Sequence, residues 1–238
     1  MRLDRVIAVR NSKTVYRDGD KCVKVFNSEY SKSDVLNEAL NQARAEELSV
    51  NVPRVWEVAP TEEKWAIVSD YIRGKTLARL IEEEPGNKTK YLESFVELQI
   101  KLQSDKSDRF ECLKSKTAQK ISKAELGNEL KEELLLKLDE IPDGDSVCHG
   151  DFSPSNIIIS DRGAPYIIDW SHVTRGEAAF DAARSYLLFW LHGDISGAEK
   201  YLELYCEKSG ISKETVKSRM PVVAAAQMLQ CNERQREF

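Results

Sequence analysis

The chain has 238 residues, 41% hydrophobic and 32% charged, a balance that suits one or two folded domains and excludes a disordered chain. Its net charge is −5, with lysines and arginines spread along the chain, which argues against a nucleic-acid binder. The five cysteines (Cys22, Cys112, Cys148, Cys206 and Cys231) are scattered without a CxxC pair, so neither a zinc site nor a disulfide framework is expected. Reduced, mostly buried thiols fit a cytoplasmic protein. The N-terminal MRLDRVIAVRN has too short an apolar run for a signal peptide, and no stretch approaches the ~20 apolar residues of a membrane span.

The first third reads as strands around one helix. Val6–Val9 is a short apolar run, and the β-prone runs Thr14–Arg17 and Cys22–Phe26 flank Asp18-Gly19-Asp20, a hairpin signal. Ser33 can cap a helix running to about Leu48, with Leu36, Leu40, Ala43 and Glu47 at helical spacing. Pro53 marks its break. Arg54–Val58 and Trp65–Ser69 then read as two more strands, giving the order β-β-β-α-β-β.

Helices dominate the remaining two thirds of the chain. Thr76–Glu84 is a short one, stopped by Pro85-Gly86-Asn87. Lys88–Ser104 offers Leu92, Phe95, Val96 and Leu98 to a core. Lys114–Lys123 and Glu125–Glu140 come next, with Leu126, Leu130, Leu134 and Leu138 expected to form one packed stripe. Asn156–Ile159 and Tyr166–Ile168 interrupt this pattern as a second hairpin around Ser160-Asp161-Arg162-Gly163. Three helices close the chain: about Ala178–Leu191, Ser196–Ser209 and Ser212 to about Arg236.

The chemistry concentrates in Cys148-His149-Gly150-Asp151-Phe152-Ser153-Pro154-Ser155-Asn156, which leads into the second hairpin; the hairpin's other strand ends at Asp169-Trp170. A hairpin returns the chain to where it left, so Asn156 and Asp169 can sit side by side as oxygen ligands for Mg²⁺. Asp151 can accept a hydrogen bond from a substrate hydroxyl. These are parts that phosphoryl transfer requires.

The segment resembles the H-x-D-x-x-x-x-N catalytic loop of the protein-kinase-like superfamily, followed by its metal-binding Asp. His149-Gly150-Asp151 and Ile168-Asp169-Trp170 look like the aminoglycoside phosphotransferase and choline kinase branch; protein kinases carry Arg after the His, and a DFG triplet at the metal site. The resemblance implies an α+β, two-lobed protein-kinase-like fold. It has a five-stranded antiparallel N-lobe with one helix (residues 1–72) and a mainly helical C-lobe (residues 73–238). It implies that Lys24 contacts the α- and β-phosphates, with Glu38 as its ion-pair partner; Lys21, Glu46 and Glu47 are the competing residues. It places adenine against backbone groups around Asp70 and Ile72. His149 and Asp181 would brace the catalytic loop, and His172 and His192 are not expected to be catalytic.

Residues Val9–Thr14 read VRNSKT, without the glycines of a protein-kinase phosphate loop. Ser12 or backbone N–H groups would then cover the phosphates. The expected activity is γ-phosphoryl transfer from ATP or GTP, with Mg²⁺, to a hydroxyl of a small molecule such as an aminoglycoside, amino alcohol or sugar. A cationic acceptor would want acidic residues such as Glu199, Glu203, Glu207 or Glu233, although glutamates on helices are usually a solvated face. The rival readings are an atypical protein kinase, a non-catalytic nucleotide-binding protein, and a structural or interaction protein that retains the fold.

Overall fold

The computed structural model describes residues 5–9, 13–61 and 64–228. Its elements begin with β1 (Arg5–Val9), β2 (Lys13–Asp18), β3 (Lys21–Phe26), α1 (Lys32–Ala45), β4 (Val55–Thr61) and β5 (Lys64–Asp70). Next come β6 (Gly74–Thr76), α2 (Leu77–Glu83), α3 (Lys88–Ser104), α4 (Leu113–Lys123), α5 (Asn128–Glu140) and β7 (Ser146–Cys148). The chain continues through β8 (Ile157–Ser160), β9 (Pro165–Ile167), β10 (Thr174–Gly176), α6 (Ala178–Leu191), α7 (Ile195–Ser209), α8 (Lys213–Ser218) and α9 (Met220–Gln227). They form two compact units, residues 1–80 with 155–171, and residues 81–154 with 172–238.

The first unit is built on an antiparallel sheet of order β1-β2-β3-β5-β4. The tight turn after Asp18 sets the register of β2 on β3, from Asp18 opposite Lys21 to Lys13 opposite Phe26. Side chains alternate across a sheet. Val23, Val25, Ala66 and Val68 therefore pack on one face. Phe26 and Ile67 pack on the other with Val35 and Ala39 of α1. The Asn156 hairpin forms a small separate sheet of order β6-β8-β9 in the same unit. Gly74 is needed there, because a Cβ at that position would lie 2.1 Å from the Ile159 carbonyl oxygen.

Helix α1 corrects two expectations. Its N-cap is Ser31 rather than Ser33: the Ser31 hydroxyl accepts from the Asp34 N–H and the Asp34 carboxylate accepts from the Ser31 N–H, a reciprocal capping box. Its buried residues are Val35, Glu38, Ala39, Asn41, Gln42 and Ala45, while Leu36 and Leu40 are 44% and 47% exposed. The helix is rotated from the leucine stripe because it buries a carboxylate at Glu38.

In the second unit α3 runs over Lys88–Ser104 as expected and buries Leu92, Phe95, Val96 and Leu98. Among the α5 leucines Leu134 and Leu138 are buried but Leu130 is exposed, so the packed stripe is half the expected length. A single last helix from Ser212 is also corrected. It breaks at Arg219 into α8 and α9, since Pro221 has no N–H to offer the Lys217 carbonyl. Arg219 is held there by two bonds to the Glu177 carboxylate, at 2.9 and 2.7 Å. Two short strands that the sequence pattern does not signal, β7 and β10, pair antiparallel, and β7 leads into the loop that carries Asp151. Among the described residues no helix is long and apolar enough to cross a membrane.

Candidate active site

In the first unit the alternation that buries Val23 and Val25 turns Lys24 to the α1 side of the sheet. There Glu38, only 4% exposed, accepts from Lys24 Nζ at 2.5 Å. Glu46, the competing residue, instead accepts the Val55 N–H at 2.7 Å. Lys13 is one cross-strand pair from Lys24 on the same face, since Lys13 lies opposite Phe26 and Val15 opposite Lys24. Its Nζ donates to both carboxylate oxygens of Asp169 at 3.0 Å and lies 3.7 Å from Glu38. Lys24 lies 3.6 Å from Asp169. Two ammonium groups thus face two carboxylates. Burial alone would lower the Lys24 pKa, but Asp169 and Glu38 outweigh it and raise it above the usual lysine range. Lys21 sits next to the turn and is exposed.

Asp169 follows β9 with φ of 66°, and it is the one non-glycine residue with positive φ among the described residues. Such backbone strain concentrates at functional sites. Trp170 locks the turn, with its side chain fully buried and its indole N–H donating to the Ile167 carbonyl at 3.1 Å. The Ile168 N–H donates to the Asn156 carbonyl at 2.9 Å, which brings Asn156 beside the end of β9. Both side chains offer hard oxygen donors. Among the described residues no three His, Cys, Asp or Glu side chains cluster as a metal site. That donor set fits Mg²⁺, which takes one or two protein oxygens and completes its shell with phosphate and water. The Lys13 ammonium on both Asp169 oxygens shows that this carboxylate is already presented to a cation.

Asp70 is engaged in holding strands. Its N–H donates to the Arg54 carbonyl at 3.0 Å, and its carboxylate accepts the Arg54 N–H at 3.1 Å and the Trp56 indole N–H at 2.8 Å. Ile72 follows β5 and is partly exposed. Ser12 lies outside the described residues.

In the second unit the loop carrying Asp151 is fixed from behind. Asp181, 1% exposed, accepts the Gly150 N–H at 2.8 Å on one oxygen. Its other oxygen accepts from Gln99 Nε2 at 3.1 Å and Gln103 Nε2 at 3.2 Å. The two glutamine oxygens are in turn bonded by the hydroxyls of Tyr201 at 2.7 Å and Tyr205 at 2.8 Å. Ser185 accepts from Gln99 at 3.0 Å and donates to the Phe152 carbonyl at 2.8 Å. Three helices each supply a pair of polar residues four apart, which a helix stacks on one face. Sequence reasoning had Asp181 bracing the loop but missed Gln99 and Gln103 as its partners, and the tyrosines behind them. The signal was present as Gln99 and Gln103 on an otherwise apolar stripe.

His149 is fully buried and its Nδ1 accepts the Asp151 N–H at 3.3 Å, so the ring proton sits on Nε2. Gly150 has φ of 75°, and a Cβ there would lie 2.5 Å from the His172 carbonyl oxygen, so any side chain at this position would force the backbone to shift. Arg184 also went unread in the sequence. Its Nε donates to the Gly150 carbonyl at 3.2 Å and its Nη2 to an Asp151 carboxylate oxygen at 3.3 Å.

The model of the phosphotransferase enzyme family matches residues 5–215. The chain belongs to that family. The fold agrees. A thermostable mutant of aminoglycoside phosphotransferase APH(4)-Ia, in ternary complex with AMP-PNP and hygromycin B, is similar at TM-score 0.69 and 17% identity. That match covers 94% of this chain and 85% of the other. An aminoglycoside-3'-phosphotransferase of type VIII gives 0.64 at 18% identity, over 94% and 92%. A choline/ethanolamine kinase family protein from Mesorhizobium loti gives 0.60 at 18%, over 97% and 77%. No curated protein matches the sequence. The chain thus has a protein-kinase-like fold, with a five-stranded antiparallel sheet followed by a helical part, as its sequence implied.

Proposed function

We propose that the protein transfers the γ-phosphoryl group of a nucleoside triphosphate, ATP or GTP, to a hydroxyl of a small molecule. The observation that carries this reading is that each unit holds its own arrangement of charge. The first unit gathers Lys13 and Lys24 around the Asp169 carboxylate, a place suited to a triphosphate and its cation. The second presents Asp151 on a loop that Asp181 and Arg184 hold in place. The nucleotide-binding lobe is residues 1–72, to which we add the hairpin at 155–171; the acceptor lobe lies within residues 73–238.

Lys24, oriented by Glu38, holds the α- and β-phosphates and neutralises the leaving diphosphate. Lys13 adds a second cation beside Lys24 for the triphosphate. Ser12 and the backbone around Asp70 and Ile72 complete nucleotide binding, with Asp70 limited to its carbonyl because its N–H is bonded within the sheet. Asp169 and Asn156 would hold a divalent cation, which would supply charge neutralisation of the triphosphate. Asp151 orients the acceptor hydroxyl and accepts its proton. The hydroxyl oxygen bonds to the γ-phosphorus, the bond from that phosphorus to the β–γ bridging oxygen breaks, and the nucleoside diphosphate leaves with those electrons. His149 and Asp181 act by positioning the loop.

The test is a screen for Mg·ATP-dependent phosphorylation of aminoglycosides, amino alcohols, sugars and hydroxy acids, run beside a thermal-shift assay with Mg·ATP and Mg·GTP. The expected result is nucleotide stabilisation with turnover on one of these classes. Turnover on generic protein substrates alone, or stabilisation by neither nucleotide, would contradict the reading.

A further inference from the structure

A cavity of about 50 Å³ in the second unit borders the loop that carries Asp151. Its wall includes Lys116, Thr117 and Lys120 of α4, Gly150 of the loop, Arg184 of α6 and Val223 of α9. On α4, Leu113, Lys116, Thr117 and Lys120 recur at helical spacing on one face. The apolar part of that face is buried, and the two lysines line the cavity beside it.

Among the described residues that line the cavity, Lys116, Lys120 and Arg184 are cations and Asp181 is the one carboxylate; Arg184 also pairs with Asp151 at 3.3 Å. Asp181 is turned away, because its oxygens hold Gly150, Gln99 and Gln103. Lys116 has the Glu111 carboxylate at 4.0 Å and the Val173 carbonyl at 3.5 Å. Lys120 has no carboxylate within ion-pair distance among the described residues. Its pKa is pushed down to about 8 by burial and by the charges of Arg184 and Lys116, with Asp151 and Glu111 opposing. Positive charge is therefore gathered next to the Asp151 loop, and a half-buried lysine with no carboxylate at ion-pair distance among the described residues is a cost that an anion would offset.

Three of the acidic residues considered for a cationic acceptor, Glu199, Glu203 and Glu207, lie elsewhere. Glu199 accepts from the Tyr186 hydroxyl, Glu203 pairs with Lys200, and Glu207 is exposed. None of the three lines the cavity. Glu233 lies outside the described residues. A cavity of about 50 Å³ holds roughly three or four waters, the size of a carboxylate or phosphate head and too small for a sugar ring.

We propose that this cavity receives an anionic group, a carboxylate or a phosphate, borne by the hydroxyl acceptor of the phosphoryl transfer. The inference rests on the proposed activity, with Lys120 and Lys116 binding the anion and Arg184 joining it to the Asp151 loop. The anionic group is not itself altered; it fixes which end of the acceptor turns its hydroxyl to Asp151. Cationic acceptors are opposed by the same charges.

The test compares D-glycerate and glycerol 3-phosphate with glycerol and ethanolamine as acceptors, in wild type and in the Lys120→Glu and Lys120→Arg variants. At least one anionic acceptor should exceed glycerol and ethanolamine in kcat/KM by about tenfold or more, the scale of one charge-assisted contact. Which of the two does so separates a carboxylate from a phosphate. Lys120→Glu should remove the preference through KM, and Lys120→Arg should restore it. D-Glycerate and inorganic phosphate are also titrated by NMR on nucleotide-free protein, with circular dichroism confirming that each variant is folded. Anion binding lost in Lys120→Glu supports the cavity assignment even if no acceptor is phosphorylated and the kinase reading fails. Absence of binding to wild type, or ethanolamine as the better acceptor, overturns it.

Discussion

Glu38 and Asp169 are held by two ammonium groups, whereas Asp181 is held by a backbone N–H and two glutamine amides. The first arrangement is made of ionised side chains, with Glu38 4% and Asp169 25% exposed. A lysine can exchange one anion for another at little cost when the second anion arrives as it leaves the first. The second arrangement is fully buried, and its donors and acceptors are matched down to the tyrosine hydroxyls. Such a network has nothing to exchange and fixes a geometry. On the proposed function, the comparison sets a region that would trade partners with a ligand against one that holds a loop still.

The sharpest way to break it is Asp181→Ala. Three donors would lose their acceptor in the core, and a loss of roughly 3 kcal/mol or more is expected in urea unfolding, with turnover lost as well. Gly150→Ala strikes the same region more locally. The forced contact with the His172 carbonyl and the positive φ should cost roughly 1–3 kcal/mol and lower kcat, while the nucleotide thermal shift stays intact.

Lys24→Met tests the exchanging region. Lys13 remains 3.7 Å from Glu38, so stability should fall by only about 1–2 kcal/mol. The Mg·ATP thermal shift should shrink markedly, the reverse of the pattern for Gly150→Ala.

The smallest effect concerns Lys120. Its folded pKa of about 8 lies below the ordinary 10.5, so the folded state disfavours its charged form. The penalty is full below about pH 8 and disappears as pH rises to about 10.5, because between them the unfolded chain binds more protons. Lys120→Met should therefore stabilise the protein at pH 7, by roughly 1–2 kcal/mol, and the gain should vanish above about pH 10.5. Differential scanning calorimetry across pH checks this. A gain in stability with a loss of acceptor binding is the trade expected of a functional residue.

Much of the exchanging region was legible in the sequence. A lysine between two valines on a strand must leave the core face those valines occupy, and the DG turn sets the register that brings Lys13 beside it. Lys13 was missed because VRNSKT reads as a phosphate-covering loop, although counting back from the turn places it on the face of Lys24. The buried network was harder to read. Gln99, Gln103, Tyr201 and Tyr205 are ordinary residues on amphipathic helices until three helices pack around Asp181. Nothing within the Lys114–Lys123 segment singles out Lys116 and Lys120, and residues of α6 and α9 are needed to complete the cavity they line. Leu36 and Leu40 misled for the opposite reason: the helix gives its buried face to Glu38, and local hydrophobicity does not anticipate a buried charge required by a partner strand.

The most direct test of the account separates binding from transfer at Asp151. Asp151→Ala is compared with wild type for Mg·ATP thermal shift and for ADP formation with the best acceptor found. The account predicts an unchanged shift with kcat lowered by at least ~10²-fold, the scale of a lost general base. Turnover near the wild-type rate in the variant would contradict it.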